Sequence, residues 1–367
     1  MSVQLDFRFD VDADGWAGDD GLPLRNPLFA LLDAIRQRQS IGGAAQHLGL
    51  SYRHVWGELK RYEKQFGQAL VAGGQGRAAR LSPLGERLFW AEKRALARLL
   101  PKAEHLAGQL DRELMLAVDP GLSVVPTCAS HDLAFGLLRE HLRGQERVLL
   151  DAEYVGSVRA LQRLNAGACV LAGIHLPLGD ERLCRRGGRI HTALGRELRL
   201  GVHKLIRFAR REQGLIVASG NPLRVDTLHD LLRPAVRFVN RQDGSGTRLL
   251  LDELLARGGI RTSDIAGYPS AEPTHLSVAA TVAAGDADCG FGLRAAAERF
   301  GLGFVPVLGE DYFLVCLKQS LDSPPIQALI QLLGHPEFRS RAAALPGYEL
   351  SGAGEIMSLR RTLPWYK

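Results

Sequence analysis

Residues 40–67 read SIGGAAQHLGLSYRHVWGELKRYEKQFG, and this segment predicts two helices joined by a short turn. The first helix has an apolar stripe at helical spacing, formed by Ile41, Ala44, Ala45 and Leu48. Ser40 is placed to cap that helix, and Gly49 suits the left-handed conformation that commonly ends one. Ser51 can cap the second, longer helix in the same way. Together these features predict a helix-turn-helix.

The flanking residues complete a small domain. Upstream, PLFALLDAIRQRQ predicts a helix whose inner face carries Leu28, Leu31, Leu32 and Ile35. The second helix of the pair turns Val55, Leu59, Tyr62 and Phe66 inward, and Trp56 is also expected in the core. Downstream, VAGGQGRAARLSPLG (residues 71–85) predicts a glycine-rich hairpin, or wing. We therefore expect a winged helix-turn-helix over residues 25–82, with a small three-helix domain that binds protein as the alternative.

Charge is unevenly distributed along the chain, whose net charge is +6. Residues 1–24 hold one Arg and six Asp, whereas residues 25–110 hold 14 Lys and Arg against six acidic residues. A basic excess in one segment is typical of a domain that binds a polyanion such as DNA. The side chains expected at DNA are Ser40, Ser51, Tyr52, Arg53, His54, Lys60, Arg61, Arg77 and Arg80.

Length and composition exclude several classes of protein. A chain of 367 residues predicts two or three units, each with its own core. The first residues lack a basic region followed by an apolar run, and no stretch reaches 18 apolar residues, so we expect a cytoplasmic protein with no membrane partner. The five cysteines are scattered, without metal-ligand spacing, and we predict reduced thiols and no metal site.

The pattern S-I-x-x-A-A-x-x-L-G-L-S-Y-x-x-V-W at residues 40–56, followed by a glycine-rich wing, resembles a known domain. It is similar to the winged helix-turn-helix of LysR-type and especially ModE-type (molybdate-responsive) regulators, over about 60 residues. In those families the helix after the wing pairs two subunits. The resemblance implies a linker helix over residues 83–110 and a homodimer, or a higher even-numbered oligomer, on a double-stranded DNA operator. An α-hairpin packed within one chain is the alternative. The apolar stripe of this helix comprises Leu84, Leu88, Ala91, Ala95, Leu99 and Leu106.

Beyond Leu110, short apolar runs alternate with helical patterns, which predicts a mostly parallel α/β architecture. The runs predicted as strands are ELMLAVD, RVLLDAEY, GACVLAGIH, GLIVASG, AVRFVNR, ADCGFG, FVPVL and YFLVCL. In such sheets, ligands bind at the carboxyl ends of strands, near helix N-termini that favour anions. Five strand-to-helix loops fit this rule, although each alone could be only a helix cap.

The strongest of these loops is RFVNRQDGSGTRLLLDELL, residues 237–255. Its glycines allow close backbone approach, its hydroxyls lie at a helix start, and its arginines supply positive charge. Across the five loops, the candidate ligand contacts are Thr127, Ser130, His131, Gly156, Ser157, Gly173, His175, Arg241, Gly244, Ser245, Gly246, Thr247, Arg248, Thr274 and His275.

Residues 113–348 resemble the type-II periplasmic-binding-protein fold, in the variant joined to helix-turn-helix regulators and to some molybdopterin-biosynthesis proteins. The matching pieces are SHDLA, GSVRALQRLNAG, AGIHL, RREQGLIVASGNP, NRQDGSGTRLLLDELL, THLSVAATVAAGDADCGFG and LPGY. The resemblance implies a two-lobed effector domain over residues 111–350, with a middle lobe at about 220–305. It also implies a small anionic effector, molybdate or tungstate. The first loop is Pro-Thr-Cys-Ala-Ser-His where the oxyanion-binding relatives have a run of threonines, and a molybdopterin-type compound is the larger alternative.

The sequence favours a regulator over an enzyme. It has no GxSxG, HExxH or GxxxxGK[ST] motif, so we expect no catalysis and no tightly bound cofactor. Within the regulator class, the alternative is a response to a different metabolite or to a protein partner through the same cleft. Residues 1–24 and 351–367 are expected to form an acidic segment and a tail, without an assigned role.

Overall fold

The computed structural model describes residues 27–73, 78–145, 148–177 and 180–366. The chain divides after Ala95 into two compact units. The predicted acidic segment and Arg77 lie outside the described residues. Within those ranges, no helix combines the length and the apolarity needed to cross a membrane.

The amino-terminal unit is the predicted winged helix-turn-helix. Its elements are α1 (Pro27–Arg38), α2 (Ile41–His47), α3 (Tyr52–Phe66), β1 (Val71–Ala72), β2 (Arg80–Leu81) and the first turns of α4 (Pro83–Val118). The apolar faces of α1, α2 and α3 share one core with Leu70, Leu81 and Phe89. Gly49 has the left-handed φ of 65° expected after α2. β1 and β2 pair antiparallel as the stem of the wing.

Helix α4 is longer than the sequence predicts. It runs to Val118, so the strand predicted over ELMLAVD is wrong, and these residues belong to the last turns of the helix. Locally, the five consecutive apolar residues between Glu113 and Asp119 match a short buried strand. The four-residue spacing of Leu106, Leu110 and Leu114 continues the helical pattern, and that pattern prevails.

The second unit is built on one large mixed sheet. Its strands are β3 (Ser123–Ala129), β4 (Val148–Tyr154), β5 (Leu171–Pro177), β6 (His203–Val217), β7 (Phe238–Arg241), β8 (Ala271–Glu272), β9 (Cys289–Leu293), β10 (Gly303–Leu317), β11 (Tyr348–Glu349) and β12 (Ile356–Ser358). Among the described residues, the strand order is β4-β3-β5-β10-β6-β9-β7-β8, with β11 and β12 paired to β6. Separate apolar clusters cover the sheet, and the largest two are rich in residues from β5, β6 and β10.

The helices of this unit connect the strands. They are α5 (Leu133–Gln145), α6 (Ser157–Asn165), α7 (Arg189–Leu194), α8 (Gly246–Arg257), α9 (His275–Ala283), α10 (Arg294–Arg299), α11 (Pro324–Leu333), α12 (Pro336–Ala343) and α13 (Leu359–Thr362). Helices α5, α6, α8 and α9 each follow a strand, so their N-termini lie at the carboxyl ends of strands, as expected for a ligand site in an α/β sheet.

Two long antiparallel strands join the halves of the sheet. FVPVL and YFLVCL, predicted as two strands, are parts of the single 15-residue strand β10, which pairs along its length with the equally long β6. The pairs β3–β4, β3–β5, β7–β8 and β7–β9 are parallel. The expected two-lobed α/β fold is confirmed, with the correction that the strands joining the lobes are antiparallel.

The end of the chain is part of the second unit. β12 pairs with β6, Trp365 is buried in the largest apolar cluster, and the Tyr366 hydroxyl donates to the Leu198 carbonyl. Residues 351–366 therefore pack against the rest of this unit.

Candidate functional site

The helix-turn-helix begins both of its helices with a side-chain cap. Ser40 Oγ accepts a hydrogen bond from the Gly43 amide at 3.2 Å, and Ser51 Oγ accepts one from the His54 amide at 3.1 Å. These bonds satisfy amides that the helices leave unpaired, and they fix where α2 and α3 start. Both serines are exposed.

The outer face of α3 is polar and aromatic. Tyr52, Arg53 and His54 are exposed at its start, and Lys60 and Arg61 are exposed further along, where they pair with Glu63 and Glu58 respectively. On the wing, Arg80 is exposed. This arrangement leaves the predicted base-contacting end of α3 open to solvent.

Trp56 is not a core residue, contrary to the sequence interpretation. It is 39% exposed and lies one turn after Tyr52, with the two rings stacked at 6.3 Å between centroids. Lys60 Nζ lies 4.6 Å from the centre of the Trp56 ring. Because Val55, Leu59 and Tyr62 already define the inward face, Trp56 belongs to the opposite, outer face of the helix.

In the second unit, a buried cluster of charged side chains lies on the paired long strands β6 and β10. Arg211 on β6 is directly opposite Glu310 on β10, and its side chain is bonded to Glu310 and, at 2.5 Å, to Asp132 before α5. Its Nη2 is also 3.0 Å from His175 Nδ1. Burial opposes the charge of Arg211, but the carboxylates of Glu310 and Asp132 outweigh this effect and raise its pKa.

A second chain of contacts extends from this cluster into the middle lobe. Gln213 Nε2 donates to Glu310 Oε1 at 2.9 Å and to Thr247 Oγ1 at 3.0 Å. Thr247 Oγ1 is in turn 3.4 Å from His275 Nε2. Residues of β6, β10, α8 and α9 are thus joined in one buried polar network.

Glycines bring the loops before α6 and α8 into contact. A Cβ added to Gly156 would lie 2.4 Å from the Gly244 carbonyl oxygen. A Cβ on Gly246 would lie 2.9 Å from the His175 ring and 3.2 Å from Ser157 Oγ. Only glycine permits this approach, which places the N-termini of α6 and α8 beside His175.

Arg241, at the end of β7, is the other buried guanidinium. It is 2% exposed; Nε donates to Gln242 Oε1 at 3.1 Å and Nη2 donates to the Pro273 carbonyl at 3.0 Å, while Nη1 is buried without a partner. Burial, and then the charge of Arg211, lower the pKa of Arg241 to about 9. At neutral pH it therefore holds a buried positive charge that is not neutralised by a bonded carboxylate.

Unpartnered polar atoms concentrate around this network. In the part of the chain that the structure describes, the buried atoms of this region without a hydrogen-bond partner are Ser157 Oγ, His175 Nε2, Arg211 Nε, Gln213 Oε1, Arg241 Nη1, His275 Nδ1 and Tyr312 Oη. Buried polar groups are nearly always paired, and an unpaired one costs about 1–3 kcal/mol. Several in one place are typical of a site that completes its hydrogen bonds with a ligand.

Two histidines of the network are neutral at neutral pH. Burial is the main cause that lowers the pKa of His175 and of His275 well below the usual range, and the charges of Arg211 and Arg241 add to it. A neutral imidazole offers one donor and one acceptor. His131, Asp132 and His275 also line a small cavity beside the network.

The remaining candidate residues have local roles. Thr127 lies within β3, where its hydroxyl donates to the Val125 carbonyl, and Ser130 donates to the Val155 carbonyl. Ser245 and Thr274 cap α8 and α9. A Cβ on Gly173 would lie 2.8 Å from Tyr312 Oη.

Arg248, in the first turn of α8, has bonded partners of its own. Its guanidinium is bonded to Asp252 at 3.1 Å and to the Arg241 carbonyl at 3.2 Å, and it lies 4.2 Å from the centre of the Tyr268 ring. These contacts hold the guanidinium beside Asp252 and Tyr268. The sequence analysis in turn missed Asp132, Arg211, Gln213, Glu310 and Tyr312.

Helix α4 is bonded to both lobes of the second unit. Arg98 pairs with Glu272 at 2.5 Å, and Thr274, which precedes His275, donates to the Ala97 carbonyl at 3.2 Å. Further along α4, Glu104 Oε2 accepts from the Tyr154 hydroxyl at 2.7 Å. The helix therefore contacts the loop before α9 in one lobe and the end of β4 in the other.

Comparison with known proteins identifies the class. The profile of the PBP superfamily domain matches residues 139–334, and the profile of the bacterial regulatory helix-turn-helix protein, lysR family, matches residues 28–86. The chain belongs to the PBP superfamily. It is a LysR-type DNA-binding regulator with a PBP-like effector-binding domain.

Individual relatives match this chain over different lengths. The uncharacterized protein YvgK of Bacillus subtilis (strain 168) is 29% identical over 230 residues, which are 62% of this chain and 72% of YvgK. An uncharacterized protein of Clostridium pasteurianum, from the 5′ region of a 2Fe-2S ferredoxin gene, is 35% identical over 115 residues, which are 30% of this chain and 98% of that protein. Among solved structures, H2O2-bound mutant OxyR of Corynebacterium glutamicum is 17% identical, with a TM-score of 0.43, over 87% of this chain and 93% of that chain. Full-length LysG of the same organism with bound effector Arg is 14% identical, with a TM-score of 0.39, over 84% and 96% of the two chains.

The neutral histidines predict how the stability of the second unit depends on pH. The unfolded chain takes up protons on His175 and His275 as the pH falls below about 6.5, and the folded domain does not, so the free energy of unfolding falls between about pH 7 and pH 5. Each histidine contributes about 1.4 kcal/mol per pH unit at the acid end of this window. His275→Gln should reduce the slope of the free energy of unfolding against pH by about 1.4 kcal/mol per pH unit at the acid end of the window. Urea unfolding at several pH values, in buffers without oxyanions, measures this slope.

The matched control is His229→Gln, because His229 is exposed. This variant should keep the pH dependence of the wild-type protein. An unchanged pH dependence in His275→Gln would show that His275 is not held neutral by the fold.

Proposed function

We propose that this protein is a homodimeric transcriptional regulator that senses a small oxyanion, molybdate or tungstate, in the buried polar network around Arg241. The observation that carries the proposal is the unpartnered Nη1 of Arg241, a donor on a buried cation without a bonded carboxylate. A bound anion would supply both the missing charge and the missing acceptor.

The chemistry of the surrounding atoms supports an anion. Ser157, Tyr312 and the Nε of Arg211 each offer a buried donor without a partner. The N-termini of α6 and α8, which favour negative charge, lie beside them. Donors outnumber acceptors in this set, as an oxyanion requires.

The two buried arginines differ in their bonded partners, and we assign them different roles. Arg211 is already neutralised by Asp132 and Glu310, and it serves to hold the network together. Arg241 has no such partner among its bonded groups, and it is therefore the cation we assign to the ligand.

The close contact of the loops favours a compact ligand. Gly156 and Gly244 touch through their backbones, which leaves little room between the loops before α6 and α8. A tetrahedral oxyanion suits this geometry better than a molybdopterin-type compound does. A different metabolite or a protein signal remains the competing proposal, and the same experiment distinguishes them.

The test is a thermal-shift and calorimetric titration of the purified chain with molybdate, tungstate, sulfate and phosphate. A ligand at 100 times its Kd should stabilise the folded domain by about 2.7 kcal/mol. Arg241→Met should abolish this stabilisation, while the ligand-free variant should be no less stable than the wild type, because the substitution removes an uncompensated buried charge.

Arg248→Met is the matched control, since Arg248 lies seven residues away and bonds to Asp252. It should retain the response to the anion. If no oxyanion stabilises the wild-type protein, or if Arg241→Met responds equally, the oxyanion proposal fails and the larger or non-anionic effectors gain support.

The exposed start of α3 supports a second prediction, on DNA binding. We assign phosphate contacts to Arg53 and Arg80, both exposed. Replacing either by Gln should reduce the slope of log K against log salt for duplex DNA by roughly 0.9, the value for one lost phosphate contact. Fluorescence anisotropy over a salt series measures this slope.

Arg36→Gln is the control for charge alone. Arg36 lies in the same unit, but its guanidinium stacks on Phe89 and Trp90, so the salt slope should not change. Equal slopes for wild type, Arg53→Gln and Arg80→Gln would contradict the assigned contacts.

An exposed apolar stripe on α4 supports the homodimer. Leu106, Leu110, Leu114 and Val118 recur every four residues and are all exposed, Val118 to 87%. Four large apolar side chains in one line on a helix are typical of a surface that a second subunit covers. Leu110→Glu with Leu114→Glu should convert the dimer to monomer in sedimentation velocity.

Leu200→Glu is the control for an added surface charge, because Leu200 is exposed and is not part of α4. That variant should remain dimeric. A dimer that survives the double substitution on α4 would exclude this stripe as the subunit contact.

A further inference from the structure

Two histidines and a glutamate meet on the opposite end of α5 from the buried network. His141 lies in the third turn of α5, His335 precedes α12, and Glu337 lies in the first turn of α12. One nitrogen or oxygen atom from each residue lies within 4.8 Å of the others. The rings of His141 and His335 are 5.3 Å apart between centroids.

His141 is the buried member of this triad. It is 5% exposed, and its Nε2 has no hydrogen-bond partner. The ring lies 6.4 Å from that of Phe338, which belongs to the core beneath α12. Packing therefore fixes the imidazole in place, while its buried nitrogen lacks the partner that such a group normally has.

The chemistry of the three side chains selects a class of ligand. Two imidazole nitrogens and one carboxylate are the donors that first-row divalent transition metals prefer, whereas Mg²⁺ and Ca²⁺ prefer sets of oxygen atoms. Around Zn²⁺, with bonds of about 2.0–2.1 Å, tetrahedral ligand atoms are about 3.4 Å apart. In this structure the three donor atoms lie within 4.8 Å of one another, so a bound ion would draw them closer together.

The triad shares no residue with the proposed effector site. Asp132, which bonds to Arg211, precedes α5, and His141 follows nine residues later, about 13 Å along the helix axis. A metal at the triad would join α5 to α12. It would thus stabilise the packing of the two helices without contacting the anion.

We propose that His141, His335 and Glu337 form a site for a first-row divalent transition-metal ion, with Zn²⁺ as the reference ligand and the fourth position open to water. The proposal rests on the convergence of the three donors and on the buried, unpartnered nitrogen of His141.

The test uses the full chain, purified without a histidine tag and stripped of metal with a chelator. Competition with a chromogenic chelator measures the stoichiometry and affinity for Zn²⁺, and visible absorption of the Co²⁺ form reports the ligands. We expect one metal per chain and a Co²⁺ spectrum of nitrogen and oxygen ligands. Glu337→Gln and His335→Gln should each weaken Zn²⁺ binding by more than about ten-fold, the loss that even an outer-shell partner can cause.

The variants also separate the metal from the fold. Glu337 is exposed, so Glu337→Gln should retain the circular dichroism of the wild type. His229→Gln, at an exposed histidine outside the triad, should bind Zn²⁺ as the wild type does. Absence of saturable binding, binding unaffected by both triad variants, or a Co²⁺ spectrum of thiolate ligands would overturn the proposal.

Discussion

The buried guanidinium of Arg211 is the constraint on which the second unit depends. It lies where the two long strands run side by side, directly across from Glu310, and it reaches Asp132 at the start of α5. One cation thus joins three elements that are distant in sequence. Removing a single partner from such a buried group leaves an uncompensated charge and costs about 3–5 kcal/mol. The loop that carries Asp132 is therefore positioned relative to the paired strands β6 and β10.

Because the carboxylates of Asp132 and Glu310 neutralise Arg211, the positive charge available to a ligand must come from another residue. Arg211 and Arg241 are both buried, and burial alone does not distinguish a structural cation from a binding one. Their partners do: two carboxylates for Arg211, and an amide and a backbone carbonyl for Arg241. Burial, reinforced by the charges of Arg211 and Arg241, keeps His175 and His275 neutral, so the site concentrates donors around a cation without a bonded carboxylate.

The sequence predicted the elements better than the contacts between them. Caps such as Ser51 and loops such as that before α8 are local, and their patterns are visible in a few residues. Arg211 was missed because one arginine in the charged run RREQ acquires meaning only from Glu310, 99 residues away. Arg241 ends β7 and Arg248 lies in the first turn of α8, and only the folded chain shows that Arg248 bonds to Asp252. The convergence of His141, His335 and Glu337 was missed for the same reason, since His141 and Glu337 meet only through the packing of α5 on α12.

Helix α4 contacts both lobes of the second unit, next to the proposed effector site. It is bonded to Glu272 and Thr274 next to His275, and through Glu104 to Tyr154 at the end of β4. Any movement of one lobe against the other must change at least one of these contacts. An effector shifts such an equilibrium only by the difference in its affinity for the two states, and a change from 1:99 to 99:1 needs about 5.5 kcal/mol. An anion that neutralises Arg241 and pairs the surrounding donors only when the lobes are closed would bind the closed state more tightly than the open one. This difference in affinity is what would shift the equilibrium between the two states.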